Sequence, residues 1–283
     1  MKVNNKDLIH KHDFFQNVLA KLHKLIKDDN VIFTLENLSA EHTDRGKIEV
    51  DKSKFNVLLG MWDEYDTKYH RELIDKYDII FNQYITKEEE ELYDNLFSLP
   101  LGYNGNIIIE NEHVQDIKKI TDRSIDVFFA GHMSSQNRYN SMIKNIEFLT
   151  KSDSRKKYNF DFNITRGFMQ GFKGPQYYDK LYNSKIAFCP PGNISAETYR
   201  WYEAMMCGCV IVCPKLPETE IYNDLPVMQV TNFETDASKV VLELLNDKTR
   251  LQELQQENIE YWSKHYDQEL VAAYITSKIK RKL

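Results

Sequence analysis

The chain has 283 residues, enough for one large α/β domain or two smaller ones with separate cores. Its net charge of −6 excludes a broad cationic field for nucleic acid, and no run of about 18 apolar residues encodes a transmembrane helix. The first residues carry Lys2, Lys6 and Asp13 and lack the apolar stretch of a signal peptide, so a cytoplasmic protein is expected.

Phe14, Phe15, Val18, Leu19, Leu22, Leu25 and Ile26 fall at helical spacing and predict an amphipathic helix. Short apolar runs then predict strands at 31–35, at 55–59 (ended by Gly60) and at 77–81, the last after a charged helix over 66–76. A second charged helix over 87–95 leads into a strand at 96–99 and the turn Pro100–Gly102. The second half opens with a strand at 125–131 running into Gly131. Helices are expected at 138–150, 175–183 and 195–207, alternating with strands at 158–162, 185–189 and 209–213. A short strand at 227–230 and helices over 235–281 close the chain. Apolar runs alternating with helices predict parallel sheets with helices on both faces. Two such sheets, breaking near 103–124, give two Rossmann-like lobes with a deep cleft between them, where ligands sit beyond the carboxyl ends of the strands. The expected division is 1–104 for a first lobe, 105–265 for a second lobe, and 266–283 for a closing helix.

The four cysteines, Cys189, Cys207, Cys209 and Cys213, cluster in apolar surroundings. Their spacing lacks a C-x-x-C pair, and alternate strand residues point to opposite faces, so buried thiols are expected rather than a zinc site. No metal ligands are predicted: His10 and His12 form only a lone terminal pair. The basic tail Lys278, Lys280, Arg281 and Lys282 reads as a solvated helix end, with a peripheral membrane anchor as the alternative.

Most of the chemistry lies between Ser184 and Pro214. A buried strand ends at Cys189, Pro190 and Pro191 stop it, and Gly192 turns the backbone. Ser195 is expected to cap the following helix, whose unpaired N–H groups suit a phosphate. Arg200 and Glu203 are three residues apart and share a helix face. A carboxylate there can accept hydrogen bonds from two vicinal hydroxyls, as on a ribose. Gly208 is placed to end the helix.

This segment resembles the C-terminal-domain signature of GT-B glycosyltransferases, and among them the exostosin-like family. The residues are Pro191-Gly192, then Thr198-Tyr-Arg200-Trp-Tyr-Glu203-Ala204, then Gly208-Cys209 and an apolar strand. Leu99–Gly102 resembles the segment joining the lobes, and Asp126–Gly131 with Arg138 resembles the strand, Gly turn and Arg that open the nucleotide-binding lobe. The resemblance implies that Glu203 holds the donor ribose and that the Gly turn and a nearby Arg face the diphosphate. Many retaining enzymes of this fold have a second Glu eight residues before the ribose-binding one; that position here is Ser195.

Glycosyl transfer breaks a sugar–phosphate bond, so the leaving diphosphate needs cations or an N–H array. Arg138, Arg166, Lys173 and the amides of Gly192, Asn193 and Ser195 are the candidates, joined at the donor side by Thr198, Arg200, Gly131 and His132. An inverting transferase also needs a base for the acceptor hydroxyl. Asp63 is the favoured candidate; Glu64, and Glu36, Glu41 and His42 after the preceding strand, are the others. No Asp-x-Asp pair occurs, which argues for metal-independent transfer with a nucleoside-diphosphate sugar as co-substrate and no other cofactor. The expected acceptor is a hydroxyl of a polysaccharide or glycolipid. Three alternatives keep the fold: transfer to modified DNA bases, as in phage enzymes, sugar-nucleotide epimerisation, and nucleotide binding without catalysis.

Overall fold

The computed structural model describes residues 1–4, 13–36, 50–61, 70–103, 117–133, 135–151, 153–167, 170–172 and 174–283. In chain order the first elements are β1 (Lys2–Asn4), α1 (Asp13–Leu25), β2 (Val31–Glu36), β3 (Phe55–Gly60), α2 (His70–Leu73), β4 (Ile79–Asn82), α3 (Lys87–Leu92) and β5 (Leu96–Ser98). Next come β6 (Ile125–His132), α4 (Gln136–Lys151), α5 (Ser154–Lys157), β7 (Phe160–Thr165), α6 (Gly174–Tyr182), β8 (Ser184–Phe188), α7 (Tyr199–Met206) and β9 (Val210–Pro214). The last are β10 (Met228–Val230), α8 (Phe233–Asn246), α9 (Lys248–Tyr261) and α10 (Gln268–Lys282). The chain forms two compact units. One comprises Met1–Gly105, Pro217–Asn223 and Lys264–Leu283; the other comprises Asn106–Leu216 and Asp224–Ser263.

The first unit is built on a parallel sheet of order β1-β2-β3-β4-β5. Its inner strands β2 and β4 are buried throughout, and β3 from its second residue on, which is why they read as continuous apolar runs. Leu58, Ile80 and Leu96 cluster with Leu73, Tyr77 and Ile85. One residue out of phase, Phe81 meets Tyr274 of α10 edge-on at 6.0 Å, and α10 also packs along α1. The helix is fastened by the buried Lys278, which pairs with Glu220. Helix α3 opens with a complete capping box: Thr86 accepts from the Glu89 amide, and the Glu89 carboxylate accepts from the Thr86 amide. The last residues of four strands lie in one register row, Glu36 opposite Gly60, Gly60 opposite Asn82, and Asn82 opposite Ser98.

The second unit is built on a parallel sheet of order β10-β9-β8-β6-β7. The chain leaves β6 for β7 on one flank, then crosses to β8 on the other flank and continues outward to β9 and β10. Strand order therefore reverses between β6 and β8. Val127, Phe129, Ile186, Phe188, Val210 and Val212 pack with residues of α4, α8 and α9. Phe128, out of phase with them, meets the Tyr177 ring of α6 at 5.9 Å. At the amino ends of these strands Arg123, 2% exposed, binds four backbone carbonyls. They are those of Lys118, Leu181, Ser184 and Cys207, at 2.7–3.4 Å.

Several elements depart from the sequence expectation. Strand β1 carries too little apolar character to announce itself, β4 begins at Ile79 rather than 77, and β7 runs over 160–165 rather than 158–162. Helix α7 begins at Tyr199, not near 195, so Ser195 is not its cap. The Ser195 carbonyl accepts from the Gly192 amide at 2.7 Å and its hydroxyl from the Glu197 amide at 3.0 Å, which holds the backbone in a turn before the helix.

Helix α7 ends as the Gly at 208 predicts. Gly208 has φ +66°, its N–H donates to Met205 O, and the Cys209 N–H donates to Ala204 O, the two bonds of a Schellman motif. A β-carbon at 208 would also lie 2.6 Å from Ile117 Cγ2. Since left-handed backbone costs a non-glycine residue about 1–2 kcal/mol, Gly208→Ala is expected to lower the unfolding free energy by at least that much in a urea titration.

Candidate functional site

At a strand-order reversal, the loops leaving two neighbouring strands turn apart and open a crevice at the carboxyl edge of the sheet. In the second unit this edge carries Gly131 and His132, which end β6, and Cys189–Gly192, which follow β8. Arg138, in the first turn of α4 and 7% exposed, ties the two loops together. Its Nε donates to Pro191 O at 2.9 Å and its Nη1 to His132 O at 3.2 Å. A forked guanidinium is the side chain suited to hold two carbonyls at fixed separation. Arg138 thus positions the rim, and part of its donor capacity is already engaged.

Gly131 has a specific partner. A β-carbon there would sit 2.3 Å from Nη2 of Arg200, so the bare backbone is what lets that guanidinium lie across the end of β6. Arg200 Nε donates to Ala130 O at 3.1 Å, and the guanidinium carbon stands 5.4 Å from the Phe129 ring centre. One helical turn further, Glu203 is buried and accepts from Tyr177 Oη at 2.9 Å. Burial first, and then the Glu203 carboxylate, push the Tyr177 phenol well above its ordinary pKa, so it remains the proton donor of the pair.

The start of α7 differs from that of α3 in one informative way. Both have threonine at the N-cap, and Thr86 is fully engaged in its capping box. Thr198 makes no capping bond. Its hydroxyl is buried and has no hydrogen-bond partner among the described residues. An N-cap hydroxyl left in that state is available to a ligand at the positive end of the helix.

The structure thus gathers Gly131, His132, Arg138, Gly192, Thr198, Arg200 and Glu203 along one edge of the second unit. Asn193 and Ser195 belong to the turn after β8, although the Gly192 amide is engaged within that turn. Arg166 is exposed just beyond Thr165, which lies opposite His132. Asp63, Glu64, Glu41, His42 and Lys173 lie outside the described residues. The sequence reading missed Tyr177, the partner of Glu203, and the buried pair in which Tyr202 Oη donates to Glu197 at 3.0 Å. Spacing gives no signal for either contact. Burial pushes all four cysteine thiols up in pKa, and all four are buried free thiols. Among the described residues no three His, Cys, Asp or Glu side chains converge as metal ligands.

No protein-family profile matches the chain, and no curated protein matches it in sequence. Its structure resembles several solved ones. Against TarM the TM-score is 0.56 at 13% identity, covering 94% of this chain and 58% of TarM. Against the UDP-forming α,α-trehalose-phosphate synthase of Burkholderia xenovorans, solved with glucose-6-phosphate, it is 0.54 at 10% identity, covering 95% and 78%. Against an α1,3-fucosyltransferase solved with GDP it is 0.51 at 11% identity, covering 100% and 89%. The fold is of the GT-B type. At these identities the likeness establishes that fold and leaves the chemistry to this chain's own residues.

The Tyr177–Glu203 contact is open to direct measurement. Tyr177→Phe removes a hydrogen bond to a buried carboxylate, worth about 1.5–3 kcal/mol, and the unfolding free energy in urea is expected to fall by that amount with little change in the circular dichroism spectrum.

Proposed function

We propose that the chain is a glycosyltransferase that binds a nucleoside-diphosphate sugar at the carboxyl edge of the second sheet and transfers the sugar to a hydroxyl acceptor. The observation that carries this reading is the start of α7. An unengaged, buried Thr198 hydroxyl and a helix N-terminus follow the loop that Arg138 fastens to the end of β6. A diphosphate suits that environment: N–H dipoles, a hydroxyl donor, and the guanidinium of Arg200 close by. Glu203 lies one turn into the same helix, where a carboxylate can accept from a ribose diol.

The chemistry follows from these parts. Cleavage of the sugar–phosphate bond moves negative charge onto the diphosphate, and fixed donors along the edge stabilise that charge as it develops. The sequence has no Asp-x-Asp pair, so these protein groups, rather than a carboxylate-held metal, are assigned the charge. The Pro-Gly turn, the Thr-x-Arg-x-x-Glu-Ala run and the Gly-Cys apolar strand support placement in the exostosin-like group, with a glycan or glycolipid hydroxyl as acceptor. No described helix is long and apolar enough to cross a membrane.

The test is a thermal-shift panel of UDP, GDP, ADP and their sugars on the full chain. A ligand of the native state at a hundred times its Kd adds about 2.7 kcal/mol of stability, so one base is expected to raise the melting temperature clearly. Thr198→Val and Glu203→Gln are expected to fold and to lose most of that shift. A panel with no responding nucleotide, or variants that respond like the wild type, would overturn the donor site.

A further inference from the structure

A sheet edge with unpaired backbone groups invites another strand, and proteins ordinarily keep such edges short. Among the described residues three of the four edge strands obey that rule: β1, β5 and β10 have three residues each. The fourth, β7, has six, Phe160-Asp-Phe-Asn-Ile-Thr165, with no proline or lysine to blunt it. Five of these residues are half-buried, and Ile164 is 43% exposed.

The pairing to β6 shows which backbone groups of β7 are left over. The Asn159 carbonyl accepts from the amides of Asp126 and Val127, and Val127 stands opposite Phe160. Alternate residues of a strand direct their backbone groups to opposite sides. Those of Asp161, Asn163 and Thr165 therefore face β6, and those of Phe160, Phe162 and Ile164 face outward. The side chains of these three outward residues share one face of the sheet. Phe160 and Phe162 stack there at 6.0 Å and pack against the core cluster that holds Val127 and Phe129, the residues opposite them. The apolar layer that crosses the sheet from Val210 through Ile186 and Val127 to Phe160 thus stops at an open edge.

The order of residues suits one partner, the same strand of a second copy. When β7 meets its equivalent antiparallel about Phe162, Phe162 pairs with Phe162 and Phe160 with Ile164. Each such pair exchanges two backbone hydrogen bonds. This register uses all three outward residues; a shift in either direction leaves at least one of them unpaired. On the other face Asp161 comes opposite Asn163, an amide against a carboxylate, and Lys180 already donates to Asp161 at 2.8 Å. No like charges meet, whereas pairing about Asp161 would set two carboxylates opposite each other.

We propose that β7 joins two copies of this chain by antiparallel pairing about Phe162, making one ten-stranded sheet from the two five-stranded sheets of the second units. Paired strands then run in opposite directions, so the two candidate donor edges lie at opposite ends of the joined sheet. The inference does not depend on the transferase reading.

The test is sedimentation equilibrium of the full chain over about 1–200 μM, the range in which small interfaces associate. The wild type is expected to approach twice the chain mass of 33.5 kDa. Asn163→Asp creates two like-charge pairs across the two-fold axis and is expected to weaken association about tenfold. Asn163→Lys places a cation opposite Asp161 instead and is expected to associate as well as the wild type or better. Ile164→Pro removes an amide that faces outward and is expected to leave monomer alone. The circular dichroism spectra of all three are expected to match the wild type, since no substitution removes a bond to β6. A wild-type chain that stays monomeric throughout overturns the proposal, as does a dimer that Asn163→Asp and Ile164→Pro leave intact. A dimer lost equally in Asn163→Asp and Asn163→Lys overturns the pairing about Phe162.

Discussion

A parallel strand ends with its carbonyls and its following loop facing one edge of the sheet, and neighbouring loops can separate only where strand order reverses. In the second unit that reversal falls between β6 and β8. The two strands pair from Ile125 opposite Ser184 to Phe128 opposite Ala187, so the divergence comes beyond that row. Everything placed at the candidate site depends on this constraint. Gly131 and His132 end one strand, the Pro-Pro-Gly turn leaves the other, and α7 starts after that turn. A crevice made this way has exposed carbonyls on both walls, and its geometry persists only if something fixes them. Arg138 does so from α4, with one nitrogen on each wall. The positive charge brought for this purpose also makes the edge hospitable to an anion.

The opposite edge of the same sheet shows how similar chemistry serves a different end. Arg123 is among the most buried charged groups of the described residues, and its donors are directed at backbone carbonyls of Lys118, of α6, of the start of β8 and of the end of α7. Gln255 and Asn258 of α9 reinforce it by binding the carbonyls of Gly208 and Cys209. There the helix ends, the glycine takes the left-handed turn, and each exposed carbonyl named has a donor. Those contacts account for a rigid base. At the carboxyl edge the pattern is deliberately incomplete: Thr198 has the position and the residue type of a cap without the bond of one. A single protein thus contains a capped threonine in α3 and an uncapped one in α7, which separates what helices require from what the site requires.

Much of this was legible in the sequence for a simple physical reason. Strands buried on both faces are largely apolar, and the runs at 31–35, 55–59, 125–131, 185–189 and 209–213 stand out accordingly, each within a residue of the observed strand. Edge strands obey a weaker rule. In β7 Ile164 is exposed and Asp161 pairs with Lys180, so the run blurs and its position shifts by two residues. Tyr77 reads as strand but packs with Leu73 in the helix-side cluster, which moves the start of β4. Ser195 carries the composition of a cap, and only the competing bonds of its own turn show why the helix waits until Tyr199. Among the site residues, the Thr-x-Arg-x-x-Glu spacing was visible because it is local. The bonds of Arg138 to Pro191, 53 residues away, and of Tyr177 to Glu203, 26 residues away, were not, since periodicity carries no information about partners across a fold.

Two of the buried glutamates, Glu203 and Glu36, show most directly how environment sets like groups apart. Glu203 has a phenol fixed on one oxygen, and that phenol keeps its proton. Its carboxylate is therefore held in one orientation. Glu36 has the opposite setting, with no donor on either oxygen among the described residues and burial opposing its ionisation. Protonation of such a carboxyl relieves the very cost its burial imposes. A fixed phenol orients one carboxylate, while desolvation raises the pKa of the other.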